Sequence, residues 1–127
     1  MKQQLLIALI CVCHSLSTLY SQSIINVPGD QPSIQSALDA AEEGTDILLA
    51  PGTYFENLVW PMDVDGISLI GIEGKDLTII DGQGLGRVIL MQSDGQLRFS
   101  TTTRLQGLTI QNGYLSDDNG AGIYIDL

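Results

Sequence analysis

Residues 34–57, IQSALDAAEEGTDILLAPGTYFEN, constrain the fold more than any other stretch of the chain. Ile34, Ala37, Leu38 and Ala41 recur at helical spacing and make one narrow apolar face, which Gly44 ends. Upstream, Asp30 or Ser33 can cap the free amides, and Pro32 suits a first-turn position. Directly downstream comes DILLA, too continuously apolar to be solvated on either face, and then a Pro51-Gly52 turn into a second strand. A helix this short is not stable alone, so its apolar face must cover a packed surface, and the following strand supplies one. The helix is therefore expected to be the lid of a layered stack of strands.

From Ile47 onward short apolar, β-branched runs alternate with Gly, Asp and Asn. Runs begin near Ile47, Ile67, Val88, Leu105 and Ile123, with gaps of 20, 21, 17 and 18 residues, and LTIIDG from Leu77 is repeated as LTIQNG from Leu108. A repeat near twenty residues with no helix between strands predicts an all-β chain wound as a parallel β-helix, a solenoid with a short N-terminal capping α-helix. Neighbouring strands would stack ~4.8 Å apart. Pro51-Gly52, Asp65-Gly66, Asp81-Gly82, Asn112-Gly113 and Asn119-Gly120 stand where corners are needed. In a two-sheet sandwich the same pairs would close antiparallel hairpins, so the direction of strand pairing separates the two folds. The inward positions of the solenoid are expected to be Ile47, Leu49, Ile67, Leu69, Ile79, Val88, Leu105, Leu108, Ile110, Ile123 and Ile125. The closing GIYIDL reads as a strand with no polar cap. Such an end exposes apolar surface and an unpaired edge, so the expectation is either the beginning of a longer protein or self-association through that edge.

The first residues read as an address. Lys2 gives a positive start, Leu5 to Val12 form an apolar run, and SLSTLYSQS follows. This predicts a secretory signal peptide over residues 1–21, cut after Ser21 or alternatively Ser23, ahead of a single domain over residues 22–127. The run is shorter than the ~20 residues of a membrane-spanning helix, and nothing later is longer, so no membrane insertion is expected after cleavage. Ile10 and Val12 precede Cys11 and Cys13 and are not the small residues that lipid attachment favours. Cleavage removes both cysteines and His14, which excludes disulfides, Cys or His catalysis and the usual zinc sites. Lys75, Arg87, Arg98 and Arg104 then face fifteen acids, a net charge near −11 that disfavours nucleic acid and anionic membranes. A secreted or cell-surface protein is expected.

Among residues with chemistry, Asp117-Asp118-Asn119 is the densest set of oxygen ligands. A calcium ion takes six to eight oxygens, and two adjacent carboxylates supply only part of that, so a Gly-terminated turn is the plainer role. Asp63 and Asp65 begin like a calcium loop but lack its later ligands, and no metal residue is assigned. Asp81 with Asp94, or Asp117 with Asp118, would serve acid–base chemistry on a glycosidic bond only if held ~5 to 10 Å apart. Arg87, Arg98 and Arg104 can grip sugar carboxylates or neutralise neighbouring aspartates. Of Tyr54, Trp60, Tyr114 and Tyr124, Tyr114 stands free beside an acidic loop, and Trp60 is placed under a loop. Tyr114, Asp117 and Asp118 are the candidate ligand-binding residues, and Asn112 is a candidate to stack on turn asparagines of later coils in a hydrogen-bonded ladder.

SIQSALDAAEEG, DILLAPGTYFEN and ISLIGIEGKDLTIIDG, within residues 31–82, resemble the N-terminal part of the pectin lyase-like superfamily of right-handed β-helices. The opening is most similar to pectin methylesterases, in which a lid helix leads into a strand and a Pro-Gly-x-Tyr-x-Glu turn. Pro51, Gly52, Tyr54 and Glu56 stand at those positions, which implies that Pro51, Gly52 and Tyr54 are structural turn residues. LQGLTIQNGY and NGAGIYI are similar to the Gly-rich coils of bacterial surface β-helix and adhesin-like proteins. The resemblance implies a right-handed, single-stranded parallel β-helix serving as a binding or structural scaffold toward polysaccharide or a cell-surface glycan. Its alternative is the N-terminal fragment of an extracellular pectin-active esterase, lyase or hydrolase. The aspartate pair, glutamines and arginine of the esterases have no match here, so no catalytic residue carries over, and Ca2+ is the only ion the sequence brings into question.

Overall fold

The computed structural model describes residues 22–92, 102–116 and 120–126. They form one short helix and ten strands gathered into three sheets in which every pairing is parallel. Parallel neighbours cannot be joined by two-residue hairpins, so the antiparallel sandwich is excluded for these strands. Strand β1 (Ile24–Val27) comes first, followed by α1 (Ile34–Asp39). Strands β2 (Asp46–Leu49), β3 (Gly52–Phe55) and β4 (Leu58–Val59) follow, each in a different sheet. The same cycle repeats with β5 (Ser68–Gly71), β6 (Thr78–Asp81) and β7 (Ile89–Gln92), and again with β8 (Arg104–Gln106), β9 (Thr109–Gln111) and β10 (Ile123–Asp126). The first sheet runs β1-β2-β5-β8, the second β3-β6-β9 and the third β4-β7-β10. No helix among the described residues is long and apolar enough to cross a membrane.

Helix α1 forms where its sequence dictates, with two corrections. Ser33 is the N-cap, its hydroxyl accepting from Ser36 N–H while Ser36 Oγ accepts from Ser33 N–H, so Pro32 precedes the cap instead of entering the first turn. Asp30 caps nothing and takes the N–H and side-chain amide of Asn26 instead. The helix ends at Asp39 with Ala40 as C-cap, and Gly44 lies beyond it at φ +77° in the turn into β2. Ile34, Ala37, Leu38 and Ala41 are all buried, as their spacing requires. They pack on β1, β2 and β4.

The core is the column of inward side chains between the sheets. Ile47, Leu49, Ile67, Leu69 and Val88 are fully buried in it. Ile79 is not: the buried residues of β6 are Thr78, Ile80 and the terminal Asp81, with Ile79 half-exposed. The reason is register. Ile79 pairs with Thr109 and Ile80 with Ile110, so the two similar LTI segments stack one residue out of step with their sequence alignment. Side chains alternate faces along a strand, and a shift of one residue exchanges inside for outside. Leu105, Leu108 and Ile110 are half-buried against the core. Ile123 and Ile125 lie in register with the buried Ile89 and Met91 yet are 37% and 55% exposed, because they belong to the last layer described. Trp60 fills the core at 1% exposure instead of lying under a loop, and its indole N–H has no partner among the described residues.

Candidate functional site

The Pro-Gly-x-Tyr-x-Glu turn is a knot that holds the first layers together. Gly52 N–H donates to Leu77 C=O at 2.8 Å, tying the turn after Pro51 to the next layer. Tyr54 Oη donates to Ala50 C=O at 2.8 Å and lies 3.3 Å from Val27 C=O. Burial raises the Tyr54 phenol above its ordinary pKa, and the Glu56 carboxylate adds to this. Glu56 reaches back 22 residues, where its two oxygens accept from Ile34 and Gln35 N–H at 2.9 Å each. Those are orphan amides of the first helical turn, and a carboxylate there also meets the positive end of the helix dipole. Asn57 donates to Arg87 C=O at 2.9 Å, joining this corner to the next circuit.

Above that knot, the corner between the second and third sheets carries the residues that could meet a ligand. In-register Asp81 and Gln111 lie at the ends of β6 and β9, and Gln83 and Asn112 follow them at φ +55° and +54°. Asp81, 7% exposed, accepts from Gln111 Nε2 at 2.9 Å, Asn112 Nδ2 at 2.8 Å and Gln83 N–H at 2.8 Å. Led by the Gln111 amide and then the Gln83 N–H, these bonds hold its carboxyl below the ordinary 3.8, outweighing its burial. An acid held ionised by three donors is a structural anchor and is poorly placed to donate a proton. Asn112 thus ties its layer to a carboxylate of the layer beneath. Tyr114 follows, 60% exposed, with its N–H on Gly86 C=O at 2.9 Å. Gln83, Gly84, Asn112, Gly113 and Tyr114 line a wide-mouthed recess of about 460 Å³. Nearby, the Arg87 guanidinium stacks 4.2 Å from the centre of the Tyr124 ring. Asp117, Asp118 and Asp94 fall outside the described residues, as does Arg98. Among the described residues no three His, Cys, Asp or Glu side chains gather as metal ligands.

A second recess, of about 430 Å³, lies on the outer face of the first sheet and is lined by Gln22, Gly44, Asp46, Gly66, Ser68, Thr102 and Arg104. Asp46, Ser68 and Arg104 occupy one register row across β2, β5 and β8. Gln22 Nε2 donates to Asp46 at 2.6 Å, and Arg104 Nε lies 3.5 Å from Ser68 Oγ. Gly44 and Gly66 floor the recess at φ +77° and +72°, and a Cβ at Gly66 would stand 3.0 Å from Thr102 Oγ1. Sequence reasoning missed this row. Its trace is the alignment of GTDILL from Gly44 with GISLIG from Gly66, which repeats the 22-residue step of Ile24, Asp46 and Ser68 in the first sheet. Asp65, which begins like a calcium loop without its later ligands, accepts from its neighbour Gly66 N–H and from Thr103 Oγ1.

Comparison of the chain with protein families, with curated proteins and with solved structures finds no match.

Proposed function

We propose that this chain forms an exported right-handed parallel β-helix that acts as a glycan-binding scaffold at the cell surface or outside the cell. Support for the fold comes from the way the strands return, circuit after circuit, to the same three parallel sheets. The observation that carries the function is Tyr114, held out of the surface by its bond to Gly86 beside the amides of Gln83 and Asn112. A sugar ring offers an apolar face and a rim of hydroxyls. A phenol ring beside amides that both donate and accept is matched to that pattern, in a recess within the size range of small-molecule sites. The acidic surface makes the favoured glycan neutral or cation-bearing and disfavours nucleic acid. Catalysis is not part of this reading, since Asp81 is engaged as an ionised anchor.

Binding of the purified chain to a panel of immobilised polysaccharides tests it. Tyr114→Ala is expected to weaken retention at least tenfold, and Arg104→Ala, on the other recess, to leave it unchanged. Loss with Arg104→Ala alone would move the site to the first sheet. No retention on any glycan, or release of methanol or uronic acid from pectin, would overturn the scaffold reading.

A further inference from the structure

The recess on the outer face of the first sheet holds an acid and a base that do not meet. Asp46, Ser68 and Arg104 stand in one register row on the neighbouring strands β2, β5 and β8, so Ser68 separates the two charges. Adjacent strands lie ~4.8 Å apart, which puts the backbones of Asp46 and Arg104 about 10 Å from each other. Arg104 is exposed, and its Nε lies 3.5 Å from Ser68 Oγ, at the outer limit of a hydrogen bond. Its terminal nitrogens have no partner among the described residues, Asp46 included. Asp46 takes Gln22 on Oδ2, which leaves Oδ1 open. Ser68 is 3% exposed, and its hydroxyl proton has no acceptor among the described residues. A buried hydroxyl ordinarily finds its partners, and a guanidinium is best matched by a carboxylate that takes two of its N–H groups at once. Here three unmet groups line one recess of about 430 Å³, floored by Gly44 and Gly66.

These groups specify a ligand by what each lacks. The Arg104 fork and the Ser68 O–H are donors that one carboxylate satisfies together, and Asp46 Oδ1 is an acceptor for an ammonium. We propose that this recess binds a small zwitterion, a free amino acid or a short peptide with free ends, its carboxylate on Arg104 and Ser68 and its ammonium on Asp46. The overall charge favours this over a simple anion: a chain at −10 repels an anion at long range, whereas a ligand of zero net charge meets no such barrier. A single arginine also gives a polyanion nothing to hold beyond its first charge. The glycine floor keeps side chains out of the ligand's way, since a Cβ at Gly66 would stand 3.0 Å from Thr102 Oγ1. This recess shares no lining residue with the one beside Tyr114, and the inference is independent of the glycan-binding reading.

Titration of the purified full chain with glycine and with triglycine, followed by backbone amide chemical shifts, reads it directly. At least one probe is expected to bind and to shift the amides of Asp46, Ser68 and Arg104, and the stronger of the two tells a free amino acid from a peptide. N-acetylglycine and glycinamide each lack one of the two charges, and both are expected to bind at least tenfold more weakly than glycine. Arg104→Ala and Asp46→Asn should each weaken the better probe at least tenfold, with Arg104→Lys, which keeps the charge and loses the fork, recovering only part. Should these variants fold poorly, the blocked probes on the unaltered chain decide. No shift with either probe at millimolar concentration, shifts that fall outside the row, or N-acetylglycine binding as well as glycine would overturn the inference.

Discussion

The two ends of this stack solve the same problem in opposite ways. At the helix end, side chains brought from elsewhere satisfy several strand-edge and helix-terminus groups: Glu56 on the first helical amides, Gln35 on both backbone groups of Val59, Asp30 on Asn26. At the far end the register continues undisturbed, Ile123 over Ile89 and Ile125 over Met91, and no described residue turns back to cover it. Closure of a parallel stack thus does not come from the strands, which are equally regular at both ends. At the helix end it comes from three polar side chains and one six-residue helix.

Substitutions at the helix end are therefore expected to cost folding energy. The largest expected effect is Leu38→Ala. Leu38 is fully buried where α1 meets the first strands, and truncating such a leucine costs ~2 to 5 kcal/mol through lost burial and the cavity left behind. Urea unfolding followed by circular dichroism measures it, and a loss below 1 kcal/mol would mean the helix is not a true lid.

Next come the side chains that seal the helix end. Glu56→Ala removes both acceptors from the first helical turn and is expected to cost ~1 to 2 kcal/mol, within the range of helix-cap deletions. Glu56→Gln, which keeps one acceptor oxygen, should recover part of that loss. Gln35→Ala strips Val59 of both partners at an exposed edge where water can replace them, so ~1 kcal/mol or less is expected. The same denaturation experiment ranks the three. An order other than Ala at 56, then Gln at 56 and Ala at 35 would show that helix capping is not the dominant closure.

How much of this was legible in the sequence depends on the range of each interaction. The buried face of α1 follows from the spacing of Ile34, Ala37, Leu38 and Ala41, and the layered all-β architecture from recurring apolar runs, because both patterns are local. Register was not legible. The runs at Ile47, Ile67 and Leu105 feed the first sheet while those at Val88 and Ile123 feed the third, so gaps taken between all five mix two sheets and hide the 22-residue step. The repeated LTI motif misleads for a related reason, since its copies stack one residue out of alignment and put Ile80 inside in place of Ile79. The roles of Glu56 and Gln35 could not be read at all, because their partners lie 21 to 24 residues away and the fold alone brings them together. At the candidate site Tyr114 was found from its neighbours in sequence, whereas the Asp46, Ser68 and Arg104 row needed the register.

The smallest expected effect tests whether anything between the two ends is electrostatic. Asp81 ties the second circuit to the third through Gln111 and Asn112, and its folded-state pKa is lowered. A carboxylate whose folded pKa lies below its unfolded value contributes stability that is fully present above the unfolded value. That stability is lost as pH falls through 3.8 toward the folded pKa. The unaltered chain should therefore lose stability on acidification in that window, and Asp81→Asn, which has no charge to protonate, should lose less over the same interval while being weaker at neutral pH. Chemical denaturation at a series of pH values from 7 to 3 measures the difference between the two curves. Parallel curves would mean that the three hydrogen bonds to Asp81 favour neither protonation state, and that the second and third circuits are held by apolar stacking and backbone ladders alone.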